Sequence, residues 1–146
     1  MSMSTDIVFM GANSQVLTNS LLVAKTFEKS HKHVLDSIKN ILDMSAENSA
    51  HIDFQDLSKD FELISMDIPM PNGGTRKSPV YVMNEEGFTL LAMGFTGSKA
   101  MLFKMRYVKA FQEMRKSIQM EESKRIEEEK KQNELPNDFF LRLFNI

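Results

Sequence analysis

The sequence predicts an α+β fold, and three observations carry that reading. First, a short helical pattern near residue 20 is followed, after a tight turn, by a longer one. In the longer pattern Val34, Leu35, Ile38, Ile41 and Leu42 recur at i, i+3/i+4 and i+7. Second, two strand-like runs flank Asn72-Gly73-Gly74, residues that each tolerate positive φ and so favour a hairpin turn. Third, an apolar stripe of helical period runs from Met101 to Ile118. A helix-turn-helix, then a hairpin, then a long helix is a winged-helix-like N-terminal region followed by a long C-terminal helix.

Each element has a local reason. Ile7–Met10 and Gln15–Leu17 read as short strands. Thr18 reads as the N-cap of a helix over Asn19–Glu28, with Leu21, Leu22, Ala24 and Phe27 as its core residues. The second helix spans His31–Met44 and leaves Lys32, His33, Asp36, Ser37, Lys39 and Asn40 on its polar face. Ser45–Asp60 reads as a loop. Phe61–Ile68 and Pro79–Met83 are strands, with Arg76 and Lys77 beside the turn between them. Asn84 caps a third helix whose first turn holds Glu85 and Glu86, where acids suit the dipole, and Gly94 stops it. Ser98 reads as the cap of the last helix, with Met101, Met105, Val108, Phe111, Met114 and Ile118 as its buried stripe; the methionines are core filler on this reading. Beyond it, Glu121–Glu134 is a polar helical extension supported by the Glu121/Arg125 and Glu127/Lys131 pairs. The predicted organisation is therefore a domain over 1–116, a charged extension over 117–134 and an apolar docking tail over 135–146.

Composition narrows the function. The chain has 146 residues and no cysteine, which excludes a disulfide framework, a thiolate metal site and a thiol nucleophile. No Lys or Arg precedes Lys25, and the longest apolar run, Leu90–Phe95, is far short of the ~20 residues of a membrane span. A soluble cytoplasmic protein with no membrane partner is expected. His31 and His33 lie two apart on a helix, hence roughly 200° apart, and cannot share a metal ion. Gly94-Phe-Thr-Gly97-Ser-Lys99 lacks both the Gly-Lys-Ser/Thr ending and the preceding strand of a phosphate loop. With no nucleophile–base–orienter set in view either, the expectation is no enzyme and no cofactor.

The net charge of −2 conceals a segregation. Residues 44–71 carry six acids and one base, whereas 72–116 carry eight bases and three acids. A local excess of that kind is what a polyanion surface needs, since the near field follows local charge.

The stretch from Tyr81 to Arg115 contains Gly87-Phe-Thr-Leu-Leu, Met93-Gly-Phe-Thr-Gly, Lys99-Ala, Phe103-Lys and Tyr107-Val-Lys-Ala-Phe-Gln-Glu-Met114. This resembles the Rha family of phage regulatory proteins. Thr18–Leu42 resembles the family's opening helices, with His33-Val-Leu-Asp-Ser-Ile-Lys39 matching their core, and the resemblance covers about residues 15–116. It implies a phage- or prophage-encoded regulator, DNA-binding by expectation, in a bacterial cytoplasm. It brings no catalytic residues. Asp36 stands where the family tends to carry a base.

The expected function is regulation through contact with double-stranded DNA. Lys32, His33, Ser37, Lys39 and Asn40 would face the groove, and Arg76 and Lys77 would grip phosphate. A homodimer through the long C-terminal helix would suit a palindromic operator. The alternative is a protein-interaction module that binds a host or phage partner through the long helix and the 135–146 tail.

Overall fold

The computed structural model describes residues 6–47 and 57–133. The chain divides into two compact units, Met1–Met114 and Arg115–Ile146. In chain order the elements are β1 (Phe9–Met10), β2 (Val16–Asn19), α1 (Ser20–Thr26), α2 (His31–Glu47), β3 (Phe61–Pro69), β4 (Thr75–Met83), α3 (Glu85–Ala92) and α4 (Ser98–Asn133). α4 begins in the first unit and supplies the described part of the second, where Gln119–Gln132 are all exposed. The 135–146 tail and most of the expected 45–60 loop lie outside the described residues.

The sheet is antiparallel in the order β1-β2-β4-β3. β3 and β4 pair along their whole length, from Phe61↔Met83 to Pro69↔Thr75. β2 lies against the other side of β4, with Thr18↔Met83 and Asn19↔Val82 in register. The hairpin turn forms where the glycines allow it: Gly73 has φ 93°, Met70 donates its N–H to the Gly74 carbonyl, and Asn72 Oδ1 accepts from Gly74 N at 3.1 Å. β4 starts four residues earlier than the apolar alternation of Pro79–Met83 suggests. Pairing with β3, rather than side-chain pattern, holds Thr75–Ser78 extended.

Caps shift by single residues for definable reasons. Thr18 is the third residue of β2, and Asn19 caps α1, its Oδ1 accepting from Leu22 N at 2.9 Å. Asn84 caps α3 by accepting from Gly87 N at 2.8 Å. The left-handed residue before α4 is Gly97, at φ 102°, and its carbonyl accepts from Met101 N, so Gly97 occupies the cap position assigned to Ser98.

The core is aromatic. Phe27, at the end of α1, lies 4.8 Å from Phe95, 5.6 Å from Phe103, 6.0 Å from Tyr107 and 6.1 Å from Phe88 between ring centroids. Phe88 and Tyr107 stack at 4.1 Å, and Phe111 closes the cluster. Such pairs contribute about 0.5–1.5 kcal/mol each beyond the area they bury. The inward stripe of α4 is thus Ala100, Phe103, Tyr107, Ala110 and Phe111, with Met114 half-buried. Met101, Met105 and Val108, expected inside, are exposed instead.

Two polar tethers tie strands to helices. Tyr107 donates to Thr18 Oγ1 at 3.1 Å, and the Thr18 hydroxyl donates to the Ile7 carbonyl at 2.7 Å. Burial pushes the Tyr107 phenol up to about 12. Ser20 Oγ accepts from the Tyr81 backbone N–H at 3.0 Å and meets His31 Nε2 at 2.9 Å. Ser20 Oγ donates to that nitrogen or accepts from it according to the imidazole tautomer, and partial burial lowers the His31 pKa from its ordinary 6.5.

Two outcomes follow from this packing. A Cβ at Gly87 would sit 2.7 Å from the Asp60 carbonyl oxygen and 3.2 Å from Met83 Cβ. Gly87→Ala should therefore destabilise by about 1–3 kcal/mol, read from the urea midpoint, even though Ala gains roughly 1 kcal/mol over Gly in a helix. For His31, the unfolded state takes up its proton first as pH falls below 6.5, so folded stability is complete above that pH and declines below it. His31→Gln should flatten the fall of Tm between neutral and mildly acidic pH, read from thermal melts across that range.

Candidate nucleic-acid interface

α1 and α2 meet through a turn of four residues whose geometry the backbone dictates. Glu28 has φ 57°, Lys29 N donates to the Ala24 carbonyl and Glu28 N to Lys25, the bonding of a helix that ends on a left-handed residue. Glycine usually fills that position. Here Glu28 accepts the strain and forms an ion pair with Lys99 of α4 at 2.6 Å. Ser30 caps α2, its Oγ accepting from His33 N at 3.1 Å.

Burial of Val34 and Ile38, with Leu35, Ile41 and Leu42 half-buried, turns the opposite side of α2 to solvent. Lys32, His33, Lys39 and Asn40 are exposed on that side and Ser37 is half-exposed. The same face carries exposed Asp36, Asp43 and Glu47. Lys32 Nζ lies 3.7 Å from Asp36 Oδ2, so the first turn of the face is close to electroneutral. An exposed pair of this kind contributes about 0–1 kcal/mol to stability; its larger effect is to occupy the lysine.

Arg76 and Lys77 lie within β4 rather than in the turn, cross-strand from Ile68 and Asp67. Successive strand residues point to opposite faces, so the two cations do not share one. Lys77 Nζ sits 3.4 Å from Asp67 Oδ1, on an exposed face of the hairpin arm. The candidate residues thus form two sets, one on α2 and one on the hairpin arm, and each set has a lysine already facing an acid.

Lys25, Lys29 and Arg106 stand outside the expected DNA-contact set. Lys29 Nζ stands 5.0 Å from the Phe95 ring centre and Arg106 Cζ 5.6 Å from that of Phe103. Lys25, Glu28 and Arg106 line a cleft with Asp6, floored by Ile7, Leu22 and Phe103. Its mixed charge suits neither a strong anion site nor a cation site. Among the described residues no cluster of His, Asp or Glu could hold a metal ion, and no helix is long and apolar enough to cross a membrane.

The chain is 33% identical over 108 residues to a Haemophilus influenzae protein described only as uncharacterized, covering 73% of this chain and 56% of that one. It is 30% identical over 118 residues to an uncharacterized 22.8 kDa protein encoded in the gp15-gp3 intergenic region of Salmonella phage P22, covering 78% and 54%. The chain spans about half the length of these curated relatives. No solved structure matches it. The family of phage regulatory protein Rha matches residues 18–116, from the end of β2 through α1, α2, the hairpin and α3 into α4, and the chain belongs to that family.

Proposed function

We propose that this phage regulatory protein acts by binding duplex DNA, with α2 in the major groove and the β3–β4 hairpin along the phosphate backbone. The observation that carries the reading is topological. The α1–α2 pair is inserted between β2 and the hairpin, and β4 returns to lie between β2 and β3. A helix pair entered from one strand and followed by a hairpin that pairs with that strand is the arrangement of a winged helix. The Phe27 end of α1 and the left-handed turn at Glu28 supply the tight helix–helix corner that such a reader needs.

On this reading Lys32 and Lys39 flank the groove, His33, Ser37 and Asn40 reach base edges, and Arg76 and Lys77 contact phosphate on either face of the hairpin arm. Asn40 is the side chain best suited to sequence discrimination, since an amide can pair bidentately with adenine. The acids on the α2 face keep indiscriminate binding weak, because non-specific affinity comes from phosphate neutralisation. Regulation on this reading involves no catalysis, and the protein works in the bacterial cytoplasm.

Fluorescence anisotropy of a labelled mixed-sequence duplex, titrated at several salt concentrations, tests it. Arg76→Ala and Lys77→Ala should each weaken binding on all sequences alike and reduce the salt slope by about one unit. Asp36→Asn should do the opposite, freeing Lys32 for phosphate and steepening the slope by about one unit. Absence of salt-dependent binding at low salt, or slopes indifferent to all three substitutions, would overturn the proposal.

A further inference from the structure

The first three turns of α4 have two apolar sides. Phe103, Tyr107 and Phe111 point inward to the aromatic cluster. On the outer side Met101, Leu102, Met105 and Val108 remain 57%, 57%, 61% and 55% exposed. Met101, Met105 and Val108 stand at i, i+4 and i+7, so they form one continuous stripe along the helix rather than scattered exposures. Single exposed apolar residues need no explanation, but four on two successive turns make a patch of the kind that marks an interaction surface.

Charge identifies the occupant. Between Ser98 and Gln112 the helix carries Lys99, Lys104, Arg106 and Lys109 and no acid. Lys99 is engaged with Glu28 and Arg106 leans over Phe103, whereas Lys104 borders the stripe beside Val108. At about 100° per residue, Lys109 projects between Met105 and Leu102, inside the apolar arc rather than at its edge. A cation there would be driven toward hydrocarbon if the face lay on a membrane, which disfavours lipid. A second copy of the chain would lay one cationic, acid-free 98–112 segment against another, a like-charge contact overall. A helix with an apolar ridge and flanking carboxylates meets both requirements: its ridge packs between the flexible methionines and its acids meet the lysines.

We propose that the outward Met101/Leu102/Met105/Val108 face of α4 is a docking site for an acidic amphipathic helix of a partner protein. The proposal is independent of DNA contact, since none of these residues belongs to α2 or the hairpin. The test uses the full chain and a fluorescein-labelled synthetic peptide with leucines at i, i+3, i+4 and i+7 and glutamates on either side. A second peptide with the glutamates replaced by lysines, and vesicles of equal parts phosphatidylglycerol and phosphatidylcholine, complete the set. The wild-type chain should bind the acidic peptide in a salt-weakened manner and the basic peptide far less. Met105→Asp and Lys109→Glu should each weaken acidic-peptide binding about tenfold. Both should keep the wild-type thermal midpoint and the salt-dependent DNA binding, because the substituted side chains are exposed. Equal binding of the two peptides, or affinities indifferent to both substitutions, would overturn the proposal. Vesicle binding lost in Met105→Asp would reassign the face to a lipid surface. A concentration-dependent dimer in light scattering, lost in the same variant, would reassign it to a second copy.

Discussion

The Phe27 ring is the contact on which the arrangement of α1, α2, α3 and α4 depends. It terminates α1 and touches Phe88, Phe95, Phe103 and Tyr107, so one side chain fixes the end of a short helix against three later segments. The chain turns at the next residue, Glu28, in a left-handed conformation that α2 cannot leave without breaking the Lys29-to-Ala24 bond. The direction of α2 is therefore set from behind by aromatic packing and from its own first turn by the His31–Ser20–Tyr81 chain. A short helix of seven residues has little intrinsic stability. Tertiary packing on Phe27, rather than helix propensity, positions the polar face of α2.

That face is unusual for a proposed DNA reader because its acids outnumber its lysines by one. Lysines at 32 and 39 compete with acids at 36, 43 and 47 on the same exposed side. The hairpin repeats the pattern, with Lys77 facing Asp67. Binding by such a surface must exchange intramolecular ion pairs for phosphate contacts. Its affinity then gains less per lysine than a bare cation would give, and more of the total must come from base-edge contacts. The composition favours discrimination over grip.

Much of the fold was legible in the sequence, and the exceptions share a cause. The amphipathic stripe of α2 was readable because one side of it is polar throughout, and Asn72-Gly73-Gly74 marked the turn because only such residues take positive φ cheaply. The start of β4 was hidden, since Thr75, Arg76 and Lys77 carry no alternation and are extended only through their partners on β3. The phase of α4 was misread for the opposite reason: from Ala100 to Phe111 apolar residues occur all round the helix, and periodicity alone cannot say which arc turns inward. The aromatic residues took the interior because Phe27 and Phe88 were there to receive them, a fact of tertiary structure. Of the candidate interface, residue types and elements were readable; that Lys32 and Lys77 each face an acid was not.

The two faces of α4 have a single origin. Once Phe103, Tyr107 and Phe111 are committed inward, helical geometry leaves Met101, Met105 and Val108 pointing away, and no rotation of the helix can hide them without exposing larger rings. The exposure is stable because the aromatic side buries more area than the methionine side would. The first turns of α4 also reach the corner between α1 and α2 at two points, through Lys99 to Glu28 and through Phe103 and Tyr107 to Phe27. The helix that presents the apolar stripe is thus the same one that holds the helix-pair corner in place. A ligand on the outer face would alter α2 only if it bound one arrangement of that corner more tightly than another. Close packing of four aromatic rings around Phe27 leaves few such alternatives, so the two surfaces are better suited to acting together on one rigid frame than to switching each other.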